Sequence, residues 1–493
     1  MMHIATMYIQ VRYALGYRQL GEGYFEIRTV YYFRERLSRY IQESGINLLE
    51  KAFEQVTDAQ IRAFQLKTGK QRMDSTQIAS NICVLGRLQL LVEVIQRVHR
   101  MLSKEDQERY GEAFAAYTKG HAGQYVYHLR GGDTGEHLQK IGEMMQWLIE
   151  ELRPGYGKEP VYQMFARVFD EHYRIEEKVL KTKTGKELSA RSLQSPDDWE
   201  ATYREKAKKS YKGYVANIIE TCDPENELQL VTKIQVAPNT VEDAKLMEEA
   251  LPDLKERTEL ETLYTDGGYG SPDADQTLLD HEVELVQTAI RGRIPGSMKL
   301  NLSDFEIKQS ETGKPAEITC PKGHTAVVEV SSRKKGFVAH FDQEICQNCP
   351  LLEKCSVRQG KRDANWHLRF NQDQVNSSQR RQRSQHHQKE GHNLRAAVES
   401  TVREVKHSFP AGKLPVRGSF RVTCMMIGSA MMTNVRRIQR CLLVKKKQEN
   451  EQNRASKRQN CLQKQSFFVY FFTKSQFSQL DSFFIPHRLK FDF

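Results

Sequence analysis

A short strand-like run that ends in an acid and a glycine turn is the feature that most constrains how this chain can fold. Residues 262–270 begin with an apolar run of strand type that ends at Asp266, and Gly267 and Gly268 follow directly. The paired glycines let the backbone turn sharply, so the Asp266 carboxylate is exposed at a strand end. A single carboxylate cannot hold a catalytic Mg²⁺ pair, because hard cations need several oxygen ligands from separated chain positions. We therefore expect partner acids elsewhere in the chain.

Asp74 is the first candidate partner. It lies in residues 71–78, a β-leaning segment that follows the basic turn at 68–70 and precedes a long helical pattern. Asp197 and Asp198 are rival first acids, but they lie in a loop that contains Pro196. We prefer Asp74 and keep the rival pair open.

Glu399 is the second candidate partner, and its surroundings predict a helix. Val398, Val402, Val405 and Phe409 form one apolar stripe at about 100° per residue. Arg395, Glu399 and Lys406 form a second stripe directly beside it. Glu399 is thus expected at the rim of a buried face, with cations one turn away that can hold the scissile or a flanking phosphate.

These three segments resemble the motifs of a known family, the DDE transposases of bacterial insertion sequences. The pattern His392-x2-Arg395-x3-Glu399-x6-Lys406 resembles the Tyr-Arg-Glu-Lys signature of the insertion-sequence-four-like superfamily. Asp266-x-Gly268-Tyr269 resembles its second acid motif, and Asp74 with the two residues after it resembles the first. The similarity extends from about residue 8 to about residue 444. One position departs from the family, since His392 stands where Tyr is usual.

The resemblance implies a fold and an activity. The fold would be α/β, with a ribonuclease H-like mixed-sheet core. Asp74, Asp266 and Glu399 would hold two Mg²⁺ (or Mn²⁺) ions, and the enzyme would cut and join double-stranded DNA at the element's terminal repeats and at target DNA. Such enzymes generally work as multimers, so a homo-oligomer is implied. Two other functions stay open: a metal-dependent nuclease without strand transfer, and an inactive DNA-binding remnant.

The order of predicted elements agrees with such a core. Residues 211–219 and 228–236 read as a pair of strands, 239–243 as a helix start, and 283–290 as a strand after Asp266. A basic run at 204–209 precedes the first of these strands.

The chain is too long for one ordinary core, so we expect several regions. Residues 1–72 are predicted to form a helical N-terminal domain, shortened relative to the family. Residues 73–444 are predicted to form the catalytic domain, with a helical insertion at 83–195 and a small Cys-rich β insert at 300–375. Residues 445–493 read as a basic and then aromatic tail, which we expect to be disordered.

Charge and hydropathy indicate the partner and the compartment. The formal net charge is +11, which favours an anionic partner such as nucleic acid. The chain has no run of eighteen apolar residues and its start does not resemble a signal peptide, so we expect a cytoplasmic protein without membrane contact.

Five candidate metal ligands cluster in the Cys-rich segment: Cys320, His324, Cys346, Cys349 and Cys355. Their spacing favours a structural Zn²⁺ that folds a loop-rich insert. A set of reduced structural cysteines is the alternative, and the sequence leaves both open.

A basic segment precedes the Glu399 helix. Residues 376–393 are rich in Gln, Arg, Ser and His and include Arg380 and Arg381. We predict a flexible segment that contacts DNA phosphates, with a merely solvated loop as the equal alternative.

Overall fold

The computed structural model describes most of the chain in two units. The described residues are 27–129, 131–206, 208–288, 299–310, 313–331, 336–360, 363–389, 393–406, 409 and 412–463. Residues 49–439 form the larger unit, and residues 1–48 and 440–493 form the smaller one. His392 and the aromatic part of the tail, from Phe467 on, lie outside the described residues.

Helices and strands alternate along the described chain. The strands β1–β14 are Lys70–Ile78, Tyr173–Glu176, Val179–Thr182, Thr202–Lys206, Lys209–Thr221, Val231–Pro238, Thr262–Thr265, Glu284–Gln287, Glu306–Gln309, Pro315–Thr319, Thr325–Val330, Phe337–Phe341, Arg358–Gln359 and Trp366–Phe370. The α-helices α1–α14 are Ile27–Ser44, Leu48–Ala63, Arg87–Met101, Lys104–Arg109, Gly111–Phe114, Ala122–Tyr127, Thr134–Tyr156, Pro160–His172, Asp243–Arg257, Pro272–Asp280, Gln343–Gln347, Gln372–Lys389, Val398–Lys406 and Ser419–Gln463. The mixed α/β class is therefore confirmed.

The main sheet is built around β1 and β5. β5 pairs antiparallel with β1 on one side, and with β4 and then β6 on the other. β7 pairs parallel with β1, and β8 pairs parallel with β7. The sheet therefore runs β6–β5–β1–β7–β8, with β4 beside the first half of β5. The predicted strand pair at 211–219 and 228–236 and the strand after Asp266 are confirmed.

Apolar clusters cover both faces of the main sheet. On one face Met73 and Ile219 pack with Met247 and Leu251 of α9. On the other, Ile218 and Ile234 pack with Val405 of α13 and with Val422 and Met426 of α14. Because side chains alternate along a strand, the neighbours Ile218 and Ile219 serve opposite faces. The sheet is thus the middle layer between helices.

Helix α2 is attached to the main sheet by a shielded charge cluster. Lys233 of β6 lies 2.8 Å from Glu54 of α2 and 2.9 Å from Asp253 of α9. Arg257 of α9 also pairs with Asp58 of α2, at 2.7 Å. These bonds hold α2 against β6 and α9 within the larger unit.

A second apolar core lies among the helices between β1 and β4. Leu91 and Ile95 of α3, Met145 of α7 and Phe165 of α8 are fully or almost fully buried there. The predicted helices in residues 83–180 are present, together with the hairpin β2–β3. This core is separate from the clusters on the main sheet.

A second, antiparallel sheet holds the Cys-rich segment. Its strands run β13–β14–β12–β11–β10–β9, and one face buries Phe305, Ile318, Phe341 and Phe370. Cys320 follows β10, and Cys346, Cys349 and Cys355 lie between β12 and β13. The predicted β structure of this segment is present.

The prediction of a flexible loop before the Glu399 helix is wrong for most of its length. Residues 372–389 form helix α12. It has no apolar stripe, but Val375, Ser378 and Ser384 are buried, and Gln382 donates to the carbonyls of Ser303 and Phe305 at 2.9 Å. Tertiary packing of small and polar side chains therefore supports this helix, which hydrophobic periodicity could not predict.

The predicted disorder of the tail is wrong up to Gln463. Helix α14 continues through residues 445–463. That stretch is rich in Lys, Gln, Glu and Arg and contains neither Gly nor Pro, so its intrinsic helix propensity is high. Among the helices in the described part of the chain, none is long and apolar enough to cross a membrane.

Candidate active site

Asp74 lies on β1, in the middle of the main sheet. Its side chain is 14% exposed, and its Oδ2 accepts a hydrogen bond from the Arg395 guanidinium at 3.2 Å. Its Oδ1 accepts the backbone N–H of Ser75 at 3.0 Å. The carboxylate is thus held in place by two donors.

Strand register brings Asp266 next to Asp74. The parallel pairing matches Lys70 with Thr262 and Arg72 with Tyr264. Continued for two residues, this register would set Asp74 opposite Asp266, the residue directly after β7, and the Asp266 charge is near enough to raise the pKa of Asp74. Asp266 Oδ1 accepts the Gly268 N–H at 2.7 Å, which turns the chain away from the strand end. The predicted position of Asp266, directly after a strand and before a glycine turn, is confirmed.

The two acids repel each other electrostatically. Burial raises the pKa of Asp74 above its ordinary value, and the Asp266 charge raises it further. The Arg395 guanidinium and the Ser75 N–H act in the opposite direction. Two carboxylates in one partly buried place concentrate negative charge, which is the setting in which a divalent cation binds best.

Glu399 joins this pair through Arg395. It lies in the first turn of α13 with its side chain 57% exposed, and its Oε1 is 3.5 Å from the Arg395 guanidinium. Arg395 itself lies in the turn before the helix and bridges Glu399 to Asp74. Val398 and Val405 are buried, as the apolar stripe predicts. Arg395 therefore links Glu399 to Asp74, and Asp74 in turn lies near Asp266.

A fully buried acid, Glu220 of β5, fixes α13 to the sheet. Thr401 lies two residues after Glu399, and its hydroxyl is 2.7 Å from each of the two Glu220 oxygens, which accept its hydrogen bond. Arg72 of β1 and Arg437 of α14 neutralise it at 2.7 and 2.6 Å. A charge with no exposed side-chain surface is stable only when it is paired this completely. Sequence reasoning missed Glu220.

Buried polar residues form hydrogen bonds with one another beside the acids. Tyr269 is fully buried and donates to Asn217 Oδ1 at 2.8 Å, and the Ser75 hydroxyl donates to Asp243 at 2.7 Å. Burial raises the pKa of Tyr269 well above its ordinary value, and the nearby charges of Asp243, Asp74 and Asp266 add to that effect. The tyrosine thus stays protonated and acts as a hydrogen-bond donor.

Several cations surround the acids. Lys406 Nζ donates to Thr76 Oγ1 at 3.1 Å and to the Gln77 carbonyl at 3.0 Å, so it lies along β1 close to Asp74. Burial lowers its pKa, and the charge of Lys209 lowers it further. Lys206 is near enough to lower the pKa of Asp74. Lys206 and Lys209 flank the tip of the β4–β5 hairpin, so the basic run at 204–209 reaches this site.

The other two predicted phosphate ligands are placed differently. Arg380 is 12% exposed and forms an ion pair with Asp275 of α10. It also packs against Gly270, where a Cβ would lie 3.1 Å from its Nε. Arg381 lines a groove of about 460 Å³ together with Arg369 and Asn371. Arg380 is therefore committed to an internal ion pair, and the structure does not join Arg381 to the three acids.

The rival acids have structural partners. Asp198 is buried and accepts from the hydroxyls of Tyr214 at 2.6 Å and Ser80 at 2.9 Å. Asp197 pairs with Arg97 at 2.7 Å and with Arg417 at 3.2 Å. These contacts favour Asp74 over both as the first acid.

The second sheet carries two further groups of possible metal ligands. The five predicted ligands Cys320, His324, Cys346, Cys349 and Cys355 all line one small cavity. A group that sequence reasoning missed consists of His340, Asp363 and His367, whose ligand atoms lie within 4.8 Å of one another. His340 and His367 face each other across β12 and β14, a register that the sequence did not specify.

A comparison with known families matches the part of the chain that contains Glu399. Residues 319–439 match a family model described as a transposase DDE domain, and the match includes Arg395, Glu399 and Lys406. The match supports a DDE transposase. This class acts on DNA and uses divalent metal ions. No curated protein and no solved structure matches the chain.

Proposed function

We propose that this protein is a transposase that binds insertion-sequence ends and catalyses DNA cleavage and strand transfer at Asp74, Asp266 and Glu399. The observation that carries the proposal is the meeting of the three acids. Asp266, directly after β7, acts electrostatically on Asp74 of the neighbouring strand β1, and Arg395 links Asp74 to Glu399.

The strand order supports a ribonuclease H-like core. Three antiparallel strands, β6, β5 and β1, are followed by β7 and β8, which run parallel to β1. In this interpretation the helices between β1 and β4 are an insertion, and so is the second sheet with its cysteines. The assembly that cuts paired ends would be a homo-oligomer, and the protein would work in the cytoplasm.

The acids fit a pair of Mg²⁺ or Mn²⁺ ions. Their oxygens come from three separated chain positions, as hard cations require, and burial together with the Asp266 charge raises the pKa of Asp74. Bound there, two such ions supply Lewis-acid activation of the attacking and leaving oxygens. In the protein without metal ions, Arg395 neutralises part of the negative charge of Asp74 and Glu399.

The residues of the chain then position the DNA. Water attacks the scissile phosphorus and the 3′-oxygen leaves, which frees a 3′-hydroxyl at the element end. That hydroxyl attacks the phosphorus of a target phosphodiester at the same site, and the 3′-oxygen of the target strand leaves. Arg395 and Lys406 hold the scissile or flanking phosphate, since both lie beside the acids. Lys206 and Lys209 extend this positive surface along the hairpin tip.

The Glu220 network keeps Glu399 within reach of the other acids. Thr401 and the Leu394 carbonyl, on either side of Glu399, bond to Glu220 and to Arg72 respectively. Both partners, Glu220 of β5 and Arg72 of β1, lie in the main sheet, so the start of the helix is fixed to these strands. Substrate therefore meets a preorganised set of acids.

A strand-transfer assay tests the proposal and separates it from its rivals. Labelled duplex that carries the element's terminal repeats is incubated with plasmid target and Mg²⁺ or Mn²⁺. A transposase yields end cleavage and joined products. A nuclease yields cleavage without end specificity or joining, and a DNA-binding remnant retains the duplex but cuts nothing.

A further inference from the structure

Four cysteines of the second sheet come from two separate turns. The first turn joins β10 to β11, where the Cys320 N–H donates to the His324 carbonyl at 2.9 Å and the Gly323 N–H donates to the Cys320 carbonyl at 2.8 Å. Gly323 adopts φ +86°, a left-handed conformation that favours glycine. This tight turn fixes Cys320 at the end of β10.

The second turn region is the segment between β12 and β13, and it contains the other three cysteines. Helix α11 is capped by Asp342 and ends at Gln347, with Cys346 in its last turn and Cys349 just after it. Cys355 follows the short 3-10 helix Leu352–Lys354. Burial raises the pKa of the Cys355 thiol, and the backbone N–H groups of Val357 and Ser356 act in the opposite direction. Backbone donors of this kind stabilise a thiolate, the form that binds metals.

The four thiols line one small cavity. Its volume is about 30 Å³, and Phe305, Phe341 and Val357 are among the apolar side chains around it. All four cysteines are partly buried and free, with no disulfide. His324 also lines the cavity but is exposed. Thiols gathered from two turns into an apolar cavity suit a soft-ligand, closed metal site better than a surface redox pair.

We propose that Cys320, Cys346, Cys349 and Cys355 bind one structural Zn²⁺ in tetrahedral geometry, and that His324 is not a ligand. The ion ties the β10–β11 turn to the segment between β12 and β13. Zn–S bonds of about 2.3 Å set sulfur atoms roughly 3.8 Å apart. Among the described residues, no three cysteine sulfurs lie within 4.8 Å of one another, so binding draws the two turns together.

The His340–Asp363–His367 group is the competing site in the same sheet. Its ligand atoms are already close, and His367 Nδ1 is buried without a hydrogen-bond partner. However, Asp363 lies 2.7 Å from His367 Nε2, and the Asp363 side chain is 45% exposed. A closed structural site needs shielded ligands, which the cysteines provide.

Metal analysis of the full chain, purified under reducing conditions, tests this proposal. We expect one zinc per chain by mass spectrometry of the eluted metal. Replacement by Co²⁺ should produce the intense thiolate-to-cobalt charge-transfer bands and visible bands of a tetrahedral four-sulfur site. This spectrum is read on the unmodified protein, so it does not depend on whether a variant folds.

Variants then assign the ligands. Cys349→Ser should lower zinc content at least tenfold, whereas His324→Ala, His367→Ala and the exposed control Cys83→Ser should retain it. Absence of zinc, a Cys346–Cys349 disulfide in the purified protein, or loss of zinc in His367→Ala but not in Cys349→Ser would each overturn the proposal. None of these measurements uses DNA, so the result is independent of the proposed transposase activity.

Discussion

Arg395 donates to Asp74 at 3.2 Å and lies 3.5 Å from Glu399, so one guanidinium neutralises two acids that lie more than 300 positions apart in the sequence. The acids are thus close together in the protein without any metal ion. Asp266 repels the Asp74 carboxylate, and this repulsion is a cost to folding that a bound cation would remove.

Neutralising Asp74 should stabilise the protein. Because its folded pKa is raised, the Asp74 carboxylate lowers stability above that pKa, and the cost disappears as the pH falls below the ordinary pKa of Asp. We therefore expect Asp74→Asn to gain about 0.5–2 kcal/mol at neutral pH without metal. Urea unfolding at neutral and acidic pH measures this.

The same variant should lose its response to metal. Mg²⁺ or Mn²⁺ should raise the melting temperature of the unmodified protein but not that of Asp74→Asn. The exposed acid Asp273 of α10 is the matched control, and Asp273→Asn should behave like the unmodified protein. If both variants gained the same stability, repulsion at the site would not be its source.

Glu220→Gln should be strongly destabilising. It leaves Arg72 and Arg437 without their buried counter-charge, which typically costs about 3–5 kcal/mol. Glu404 binds the same Arg437 but is more exposed, so Glu404→Gln should cost about 1 kcal/mol or less. Equal losses in urea denaturation would contradict the role assigned to Glu220.

The β4–β5 hairpin should contribute to DNA affinity. Replacing Lys206 and Lys209 with Ala should weaken binding of any duplex and reduce the slope of log K against log salt by about 0.9 for each lost phosphate contact. Fluorescence anisotropy over a range of salt concentrations measures both effects. Lys178, in the tip of the β2–β3 hairpin, gives a matched control. A similar change of slope in Lys178→Ala would remove the hairpin β4–β5 from the interface.

Acid should destabilise the protein through His172. Burial, together with the charges of Arg87 and Lys183, lowers the pKa of His172 to about 4. The folded protein therefore binds fewer protons than the unfolded chain between about pH 6.5 and 4, and stability falls as the pH drops through this range. The full loss is about 3 kcal/mol.

His172→Gln should abolish that part of the pH dependence, since the amide oxygen can still accept from Arg87. His128 is exposed, so His128→Gln should leave the dependence unchanged. Thermal unfolding at pH 4.5 and 6.5 compares the three proteins, and an unchanged slope in His172→Gln would show that other groups are responsible.

The sequence predicts the acids and their local structure because the signals are short-range. The apolar run before Asp266, the glycines after it and the valine stripe beside Glu399 each act over a few residues. The alternation of apolar and polar residues likewise predicts the β5–β6 hairpin. The match to a transposase DDE domain supports the class that these motifs indicate.

The partners of charged residues were not predictable, because they depend on distant contacts. Glu220 is indistinguishable from other acids until Arg437 of α14 is seen to neutralise it. Arg380 belongs to a basic cluster in the sequence, yet in the fold its guanidinium forms an ion pair with Asp275. The proximity of Lys206 to Asp74 follows from the β4–β5 pairing, which brings a hairpin tip to the site.

Metal-dependent cleavage of a labelled duplex with the element's terminal repeats tests the central claim most directly. The unmodified protein should cut at the element ends with Mg²⁺ or Mn²⁺, and Glu399→Gln should reduce the rate at least a hundredfold while retaining DNA binding. Glu404→Gln, on the same helix, should remain active. DNA binding without cleavage by the unmodified protein, or equal cleavage by Glu399→Gln, would contradict the three-acid site.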